Sequence, residues 1–143
     1  GDSAYENYFS DLARKYVGKL VTVIAFNPDL SRKIYSGADI FLMPSKSEPC
    51  GLSQMIASRY GAVPVVRETG GLYDSIKPVG NGGNGFTFAS YNAYDMLYVI
   101  REAVNCYNDK EFWAQLVKKV MSVDFSWQRS ALEYEKLYGE MLK

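Results

Sequence analysis

Short apolar runs that alternate with helical patterns constrain the fold of this chain more than any other feature. The runs are residues 20–26 (LVTVIAF), 40–44 (IFLMP) and 62–68 (AVPVVRE). Around them, apolar residues recur every three or four positions, which is the period of an amphipathic helix. Short continuous apolar strands separated by helices are typical of a parallel sheet with helices on both faces. The sequence therefore predicts an α/β fold with a doubly wound, Rossmann-like parallel sheet.

Turn and cap residues predict where the helices begin and end. Asn27 before Pro28 predicts a helix start, because asparagine caps helices and proline suits the first helical position. Gly37 and Gly61 predict helix ends, since glycine tolerates the left-handed backbone that often follows a helix. The glycine-rich stretch 81–85 (NGGNG) predicts a flexible turn before a fourth strand.

The last third of the chain carries only helical patterns. We therefore expect an alternating helix and strand part at residues 1–90, a helical part at 91–143, and a single domain over residues 1–143. The aromatic residues of the helical part, Trp127 among them, have a spacing that favours packing in the core, with packing against a domain outside this sequence as the alternative.

Composition excludes several classes of function. Lys plus Arg and Asp plus Glu each number 16, so no net positive field favours nucleic acid. No apolar stretch reaches the ~20 residues that span a bilayer, so no membrane association is expected. The chain has no histidine, and Cys50 and Cys106 are too far apart in sequence for a metal knuckle, so we expect no metal and no cofactor. Two isolated cysteines favour a reducing, cytoplasmic location.

Residues 48–54 (EPCGLSQ) form a candidate ligand loop at the carboxyl end of a predicted strand, where ligands bind in such sheets. Gly51 lets a ligand approach the backbone, and the amides of Leu52 and Ser53 lie at a predicted helix start, which favours an anion such as a diphosphate. Glu48 repels phosphate and suits sugar hydroxyls instead. An exposed loop carboxylate with no role is the alternative for Glu48.

The loop at residues 68–72 (ETGGL) is a second, weaker candidate. Gly70 and Gly71 either let a diphosphate approach the backbone or serve only the geometry of a turn. Arg67, at the preceding strand end, is interpreted as a solvated residue, with a phosphate contact as the alternative.

The combination of EPCGL, TGGL and DFSW (residues 124–127) closely resembles bacterial glycogen synthases and plant starch synthases. The resemblance extends over nearly the whole chain. It implies a retaining GT-B glucosyltransferase that moves glucose from ADP-glucose to the 4-hydroxyl at the non-reducing end of an α-1,4-glucan. No metal is expected in that family.

The resemblance also assigns site residues. It implies that Glu48 is the donor-glucose carboxylate of the catalytic site, that four residues contact glucose and diphosphate, and that Phe26 stacks on adenine where relatives have tyrosine. The four residues are Cys50, Gly51, Leu52 and Ser53. Without the resemblance, Cys50 is equally well explained as a small buried residue, and Phe26 as part of the core.

The resemblance further implies that parts of the family's enzyme lie outside this sequence. An acceptor-binding N-terminal domain, a donor-phosphate arginine and lysine, and a histidine near the reacting sugar have no counterpart here. The chain is therefore expected to be the later part of a C-terminal donor-binding domain, inactive by itself. The sheet would lack two strands, so residues 20–26 would pair either with residues 40–44 or with a second copy of the chain.

Two other functions remain open from sequence. One is a non-catalytic module that binds nucleotide or glucan. The other is a retaining glycosyltransferase with a different nucleotide-sugar donor.

Overall fold

The computed structural model describes residues 2–142. In chain order its elements are α1 (Ser3–Lys15), α2 (Pro28–Gly37), β1 (Ile40–Met43), α3 (Ser53–Tyr60), β2 (Val63–Arg67), α4 (Gly70–Ser75), a 3₁₀ turn (Val79–Asn81), β3 (Phe86–Phe88), α5 (Ala93–Asn108), α6 (Lys110–Ser122) and α7 (Trp127–Met141).

The chain divides into two compact units, Gly1–Ser31 and Arg32–Lys143. The single domain over residues 1–143 stays a prediction, and its two terminal residues lie outside the described part.

In the first unit, the predicted helix forms and the predicted strand does not. The Asp2 side chain caps α1 by accepting a hydrogen bond from the Ala4 N–H. Residues 20–26 form no strand in the described chain, whose sheet has three strands, so the predicted strand is wrong. The Val21 side chain is 80% exposed and that of Phe26 is 97% exposed. A strand requires a hydrogen-bonded neighbour, and an apolar run alone does not supply one.

The second unit contains a parallel sheet with strand order β1-β2-β3. In register, Ile40 lies opposite Val63 and Val65 lies opposite Phe86. The α/β class and the parallel sheet are confirmed. Because all three strands run in one direction, the loops that leave their carboxyl ends meet at one edge of the sheet.

The central strand β2 explains why helices cover both faces of this sheet. Val63 and Val65 pack in one buried cluster with side chains of α5 and α6, whereas Val66 packs on the other face with Leu72 and Ile76. Side chains of a strand alternate between the two faces, so a strand buried on both must be apolar throughout. Burial of each valine contributes about 1.5–3 kcal/mol.

The three C-terminal helices form as predicted but are not equally buried. Helices α5 and α6 contribute five side chains to the core, Val99, Ala103, Trp113, Leu116 and Val120. Helix α7 has no buried residue, and its Trp127 is 87% exposed, so the prediction that Trp127 packs in a core of this chain is wrong. Among the described residues, no helix is both long enough and apolar enough to cross a membrane.

Candidate functional site

The two loops that the sequence singled out contact each other through their backbones. Residues 48–52 follow β1, and Gly70 and Gly71 follow β2. The Gly71 N–H donates to the carbonyl oxygens of Glu48, at 3.1 Å, and Pro49, at 3.2 Å. The sheet therefore places both candidate loops at the same edge, within hydrogen-bonding distance of each other.

A side chain at either of the paired glycines, Gly70 and Gly71, would clash with the EPCGL loop. A Cβ on Gly71 would lie 1.8 Å from the Cys50 carbonyl oxygen, and a Cβ on Gly70 would lie 2.1 Å from that of Glu48. Gly70 also has a φ of +45°, a backbone angle that residues other than glycine rarely adopt. These glycines let one loop approach the other. A contact with diphosphate, the other reading of this loop, stays a prediction.

Gly51 shapes the start of α3. Its φ is +70°, and a Cβ there would lie 2.6 Å from the side-chain oxygen of Gln54. Gln54 is fully buried, and its side-chain nitrogen donates to the Gly51 carbonyl at 2.8 Å. The loop thus turns into the helix around a buried carboxamide.

Helix α3 begins without a capping side chain. Leu52 occupies the N-cap position and makes no such hydrogen bond. Within the described residues, the N–H groups of Ser53, Gln54 and Met55 have no acceptor, since the first bond of the helix joins the Ile56 N–H to Leu52. Side chains do cap α1, α5, α6 and α7. Unpaired N–H groups at a helix start can bind an anion.

The side chains of the first loop differ in exposure. Leu52 is 67% exposed and Cys50 is exposed, so Cys50 is not a buried core residue. Glu48 and Ser53 are partly buried. The described residues contain no cluster of three or more side chains that could hold a metal ion.

A cavity of about 700 Å³ opens beside these loops. Of the predicted site residues, only Cys50 and Gly71 line it. Its charged lining residues are Asp74, Lys77, Lys119, Asp124, Arg129 and Glu133. Three cations balance three carboxylates, so the charge of this lining does not favour an anion. Sequence analysis included only Asp124 among them, within DFSW, and missed the other five because they are scattered over 60 positions and share no motif.

The motif DFSW has a local structural role at this cavity. Asp124 accepts a hydrogen bond from the Ser126 N–H at 2.8 Å, and the Ser126 side chain caps α7 by accepting from the Arg129 N–H. Hydrogen bonds from Ser126 hold the pKa of Asp124 below its usual value, and the nearby charge of Arg129 acts in the same direction. Asp124 and Ser126 thus fix where α7 begins.

Arg67 holds the neighbouring loops instead of standing free in solvent. It donates to the carbonyl oxygen of Ser45 at 2.8 Å, and further nitrogens donate to those of Lys46 and Ala89. Its guanidinium also lies 5.6 Å from the ring centre of Tyr91. Arg67 therefore joins the loops after β1 and β3, and the interpretation as a solvated strand-end residue is wrong.

Phe26 belongs to the first unit. With 97% of its side chain exposed, it is not part of a core, so that alternative is excluded. Its role as an adenine-stacking residue stays a prediction.

Comparison with known proteins establishes the family. Residues 1–120 match the family described as glycosyl transferases group 1. The chain belongs to this family. The alternative of a non-catalytic module that binds nucleotide or glucan stays a prediction.

Relatives of this glycosyl transferase include three bacterial glycogen synthases. Those of Bacillus cereus (strain Q1) and Geobacillus thermodenitrificans are 49% identical, and that of Bacillus cytotoxicus is 51% identical, each over 146 residues. The alignments cover 100% of this chain but only 30–31% of each relative. The chain thus spans about a third of the length of these relatives.

Two solved structures resemble this glycosyl transferase. The catalytic domain of starch synthase IV from Arabidopsis thaliana, bound to ADP and acarbose, has a TM-score of 0.83 and 40% identity over 94% of this chain and 29% of that one. The Anabaena protein HepE, in complex with UDP-glucose, has a TM-score of 0.66 and 18% identity, over 85% of this chain and 32% of that one. The fold therefore matches a GT-B glycosyltransferase domain, as predicted.

Proposed function

We propose that this chain is the donor-binding part of a glycogen or starch synthase. The parent enzyme transfers glucose from ADP-glucose to the non-reducing end of an α-1,4-glucan, with retention of configuration. The observation that carries this proposal is the direct backbone contact between the EPCGL and TGGL loops at the carboxyl edge of the sheet. The roughly 50% identity of the whole chain to bacterial glycogen synthases supports the same reaction.

The two ends of the donor call for different groups. The unpaired amides at the start of α3, beginning at Ser53, would bind the diphosphate, because they carry partial positive charge. Glu48 would accept hydrogen bonds from glucose hydroxyls and hold the sugar for transfer. Cys50, Gly51, Leu52, Gly70 and Gly71 would line the path between them. Phe26 would stack on adenine, because the residue is 97% exposed and stacking needs only the face of its ring.

ADP-glucose is the favoured donor over UDP-glucose. The structural relative described with ADP is 40% identical to this chain. HepE, described with UDP-glucose, is 18% identical, and that level of similarity supports only the fold.

The acceptor glucan would bind elsewhere in the parent enzyme. The relatives are about three times longer than this chain, and the resemblance to glycogen synthases implies an acceptor groove in a separate N-terminal domain. We therefore expect no turnover by this chain alone. A cytoplasmic location also stays a prediction.

The test is a titration of isotope-labelled chain with ADP, ADP-glucose and UDP-glucose, read from backbone amide shifts. We expect ADP-glucose to shift Gly51 and Ser53 and to bind more tightly than ADP. The variant Glu48→Ala should remove that advantage of ADP-glucose, roughly 10- to 150-fold, because a hydrogen bond to a charged group contributes about 1.5–3 kcal/mol.

Glu135→Ala is the matched control, because Glu135 is exposed on α7 and does not line the cavity. It should bind all three ligands as the original chain does. Equal affinity of Glu48→Ala for ADP and ADP-glucose, with ADP binding retained, supports the sugar role of Glu48. An ADP-glucose preference unchanged by Glu48→Ala would overturn that role, and shifts confined to α5 and α6 would overturn the proposed site.

A further inference from the structure

The side chain of Gln54 links the EPCGL loop to the TGGL loop and helix α4. It is fully buried. The side-chain nitrogen donates to the Gly51 carbonyl at 2.8 Å and to the Ser75 hydroxyl oxygen at 3.0 Å, with a longer contact of 3.4 Å to Cys50. One carboxamide thus contacts the backbone of the first loop and the last residue of α4.

Ser75 continues this link to the second loop. Its hydroxyl donates to the Gly71 carbonyl at 2.6 Å, while its oxygen accepts from Gln54. The Gly71 N–H in turn donates to Glu48 and Pro49. Starting at Gly51, a closed chain of hydrogen bonds runs through Gln54, Ser75 and Gly71 and returns to the first loop.

The Gln54 side chain contributes little net stability at this buried position. The side-chain oxygen of Gln54 is buried and has no hydrogen-bond partner within the described residues. A buried polar atom without a partner costs about 1–3 kcal/mol, which offsets the roughly 1 kcal/mol that each hydrogen bond of the same side chain contributes. The amide is therefore better explained by the position that it imposes on the two loops than by a gain in stability.

We propose that Gln54, acting through Ser75, is a positioning residue that fixes the Gly51 and Gly71 backbones relative to each other. The amides at the start of α3 then point to one fixed place, where the diphosphate of the donor would lie. That last step rests on the proposed function. The link between the loops does not, and the two can be tested separately.

The first test needs no ligand. In Gln54→Met and in Ser75→Ala, hydrogen exchange of the Gly71 amide should become about fivefold faster, because one hydrogen bond of about 1 kcal/mol is lost locally. Exchange of the Val65 amide, in the buried strand β2, should change less than twofold. The double variant should be no faster than the single variants, since both break one link.

Gln115→Met is the matched control, because Gln115 is exposed on α6. It should leave both amides unchanged. Equal acceleration of Gly71 and Val65 would mean that Gln54 contributes only to global stability, and would overturn the proposal. Unchanged exchange of Gly71 in Gln54→Met would overturn it too.

The second test measures ADP-glucose affinity. Gln54→Met should weaken binding about fivefold while Gln115→Met has no effect. If the unmodified chain does not respond to ADP-glucose, the proposed donor site fails, and the exchange experiment still decides whether Gln54 links the loops. If ADP-glucose binds equally to the unmodified chain and to Gln54→Met, the donor site stands and the positioning role fails.

Discussion

Gly71→Ala tests whether the two loops need direct backbone contact. The added Cβ would lie 1.8 Å from the carbonyl oxygen and 2.7 Å from the Cα of Cys50. Both atoms belong to backbone, so no side chain can rotate out of the way. Gly71 does not have the positive φ of Gly70, and therefore alanine at this position causes a steric clash without backbone strain.

The cost can be worked out from these contacts. A carbon atom normally stays about 3.3 Å or more from a carbonyl oxygen, so the loops must separate by roughly 1.5 Å. That movement breaks the hydrogen bond from the Gly71 N–H, at about 1–3 kcal/mol, and overpacking adds about 1–3 kcal/mol. A total of about 2–6 kcal/mol corresponds to a fall in melting temperature of roughly 6–18 °C for a chain of this size.

Thermal unfolding followed by circular dichroism measures this fall. Gly80→Ala is the matched control, because no atom lies within 4 Å of a Cβ at Gly80 and its φ is not in the left-handed region. Its stability should change by less than about 1 kcal/mol. If Gly71→Ala melts within 2 °C of Gly80→Ala, with unchanged amide shifts at Glu48, the loops do not pack as described.

Two further predictions concern Asp124 and residues 20–26. Asp124 has a lowered pKa, so its charge stabilises the fold above the pKa of the unfolded chain, and this contribution is lost as the pH falls through the folded pKa. Ser126 amide protection should therefore decrease below about pH 4, and Asp124→Asn should abolish this pH dependence in hydrogen exchange. Residues 20–26, which form no strand in the described chain, should join two copies of the chain, so light scattering should report a dimer that Val23→Lys converts to a monomer. A strict monomer of the unmodified chain at high concentration would contradict this pairing.

Local signals in the sequence were sufficient for most elements of the fold. Strand β2 was predictable because both faces of the sheet require apolar residues. The end of α3 was predictable from Gly61, which adopts a φ of +87° there. Asn27 accepts a hydrogen bond from the Leu30 N–H and so caps α2, as predicted. Each of these features depends on residues close to one another in sequence.

Features that depend on distant residues were not predictable in the same way. Residues 20–26 have the composition of a strand, but forming one requires a neighbour that no local pattern can supply. Arg67 reaches loops 21 and 22 residues away, which its position at a strand end does not indicate. The steric reason for Gly71 likewise lies in Cys50, on another loop.

The contrast between the helix starts connects fold and proposed function. Capping side chains typically contribute about 1 kcal/mol each, and α5, α6 and α7 have one. At α4, the Gly71 N–H is satisfied by backbone carbonyls of the EPCGL loop instead. Among the described helices α3 to α7, only α3, which begins at Ser53, has first amides with neither kind of partner. The chain thus gives up a stabilising cap where the proposed donor diphosphate would supply acceptor oxygens, and uses protein groups to satisfy the neighbouring helix.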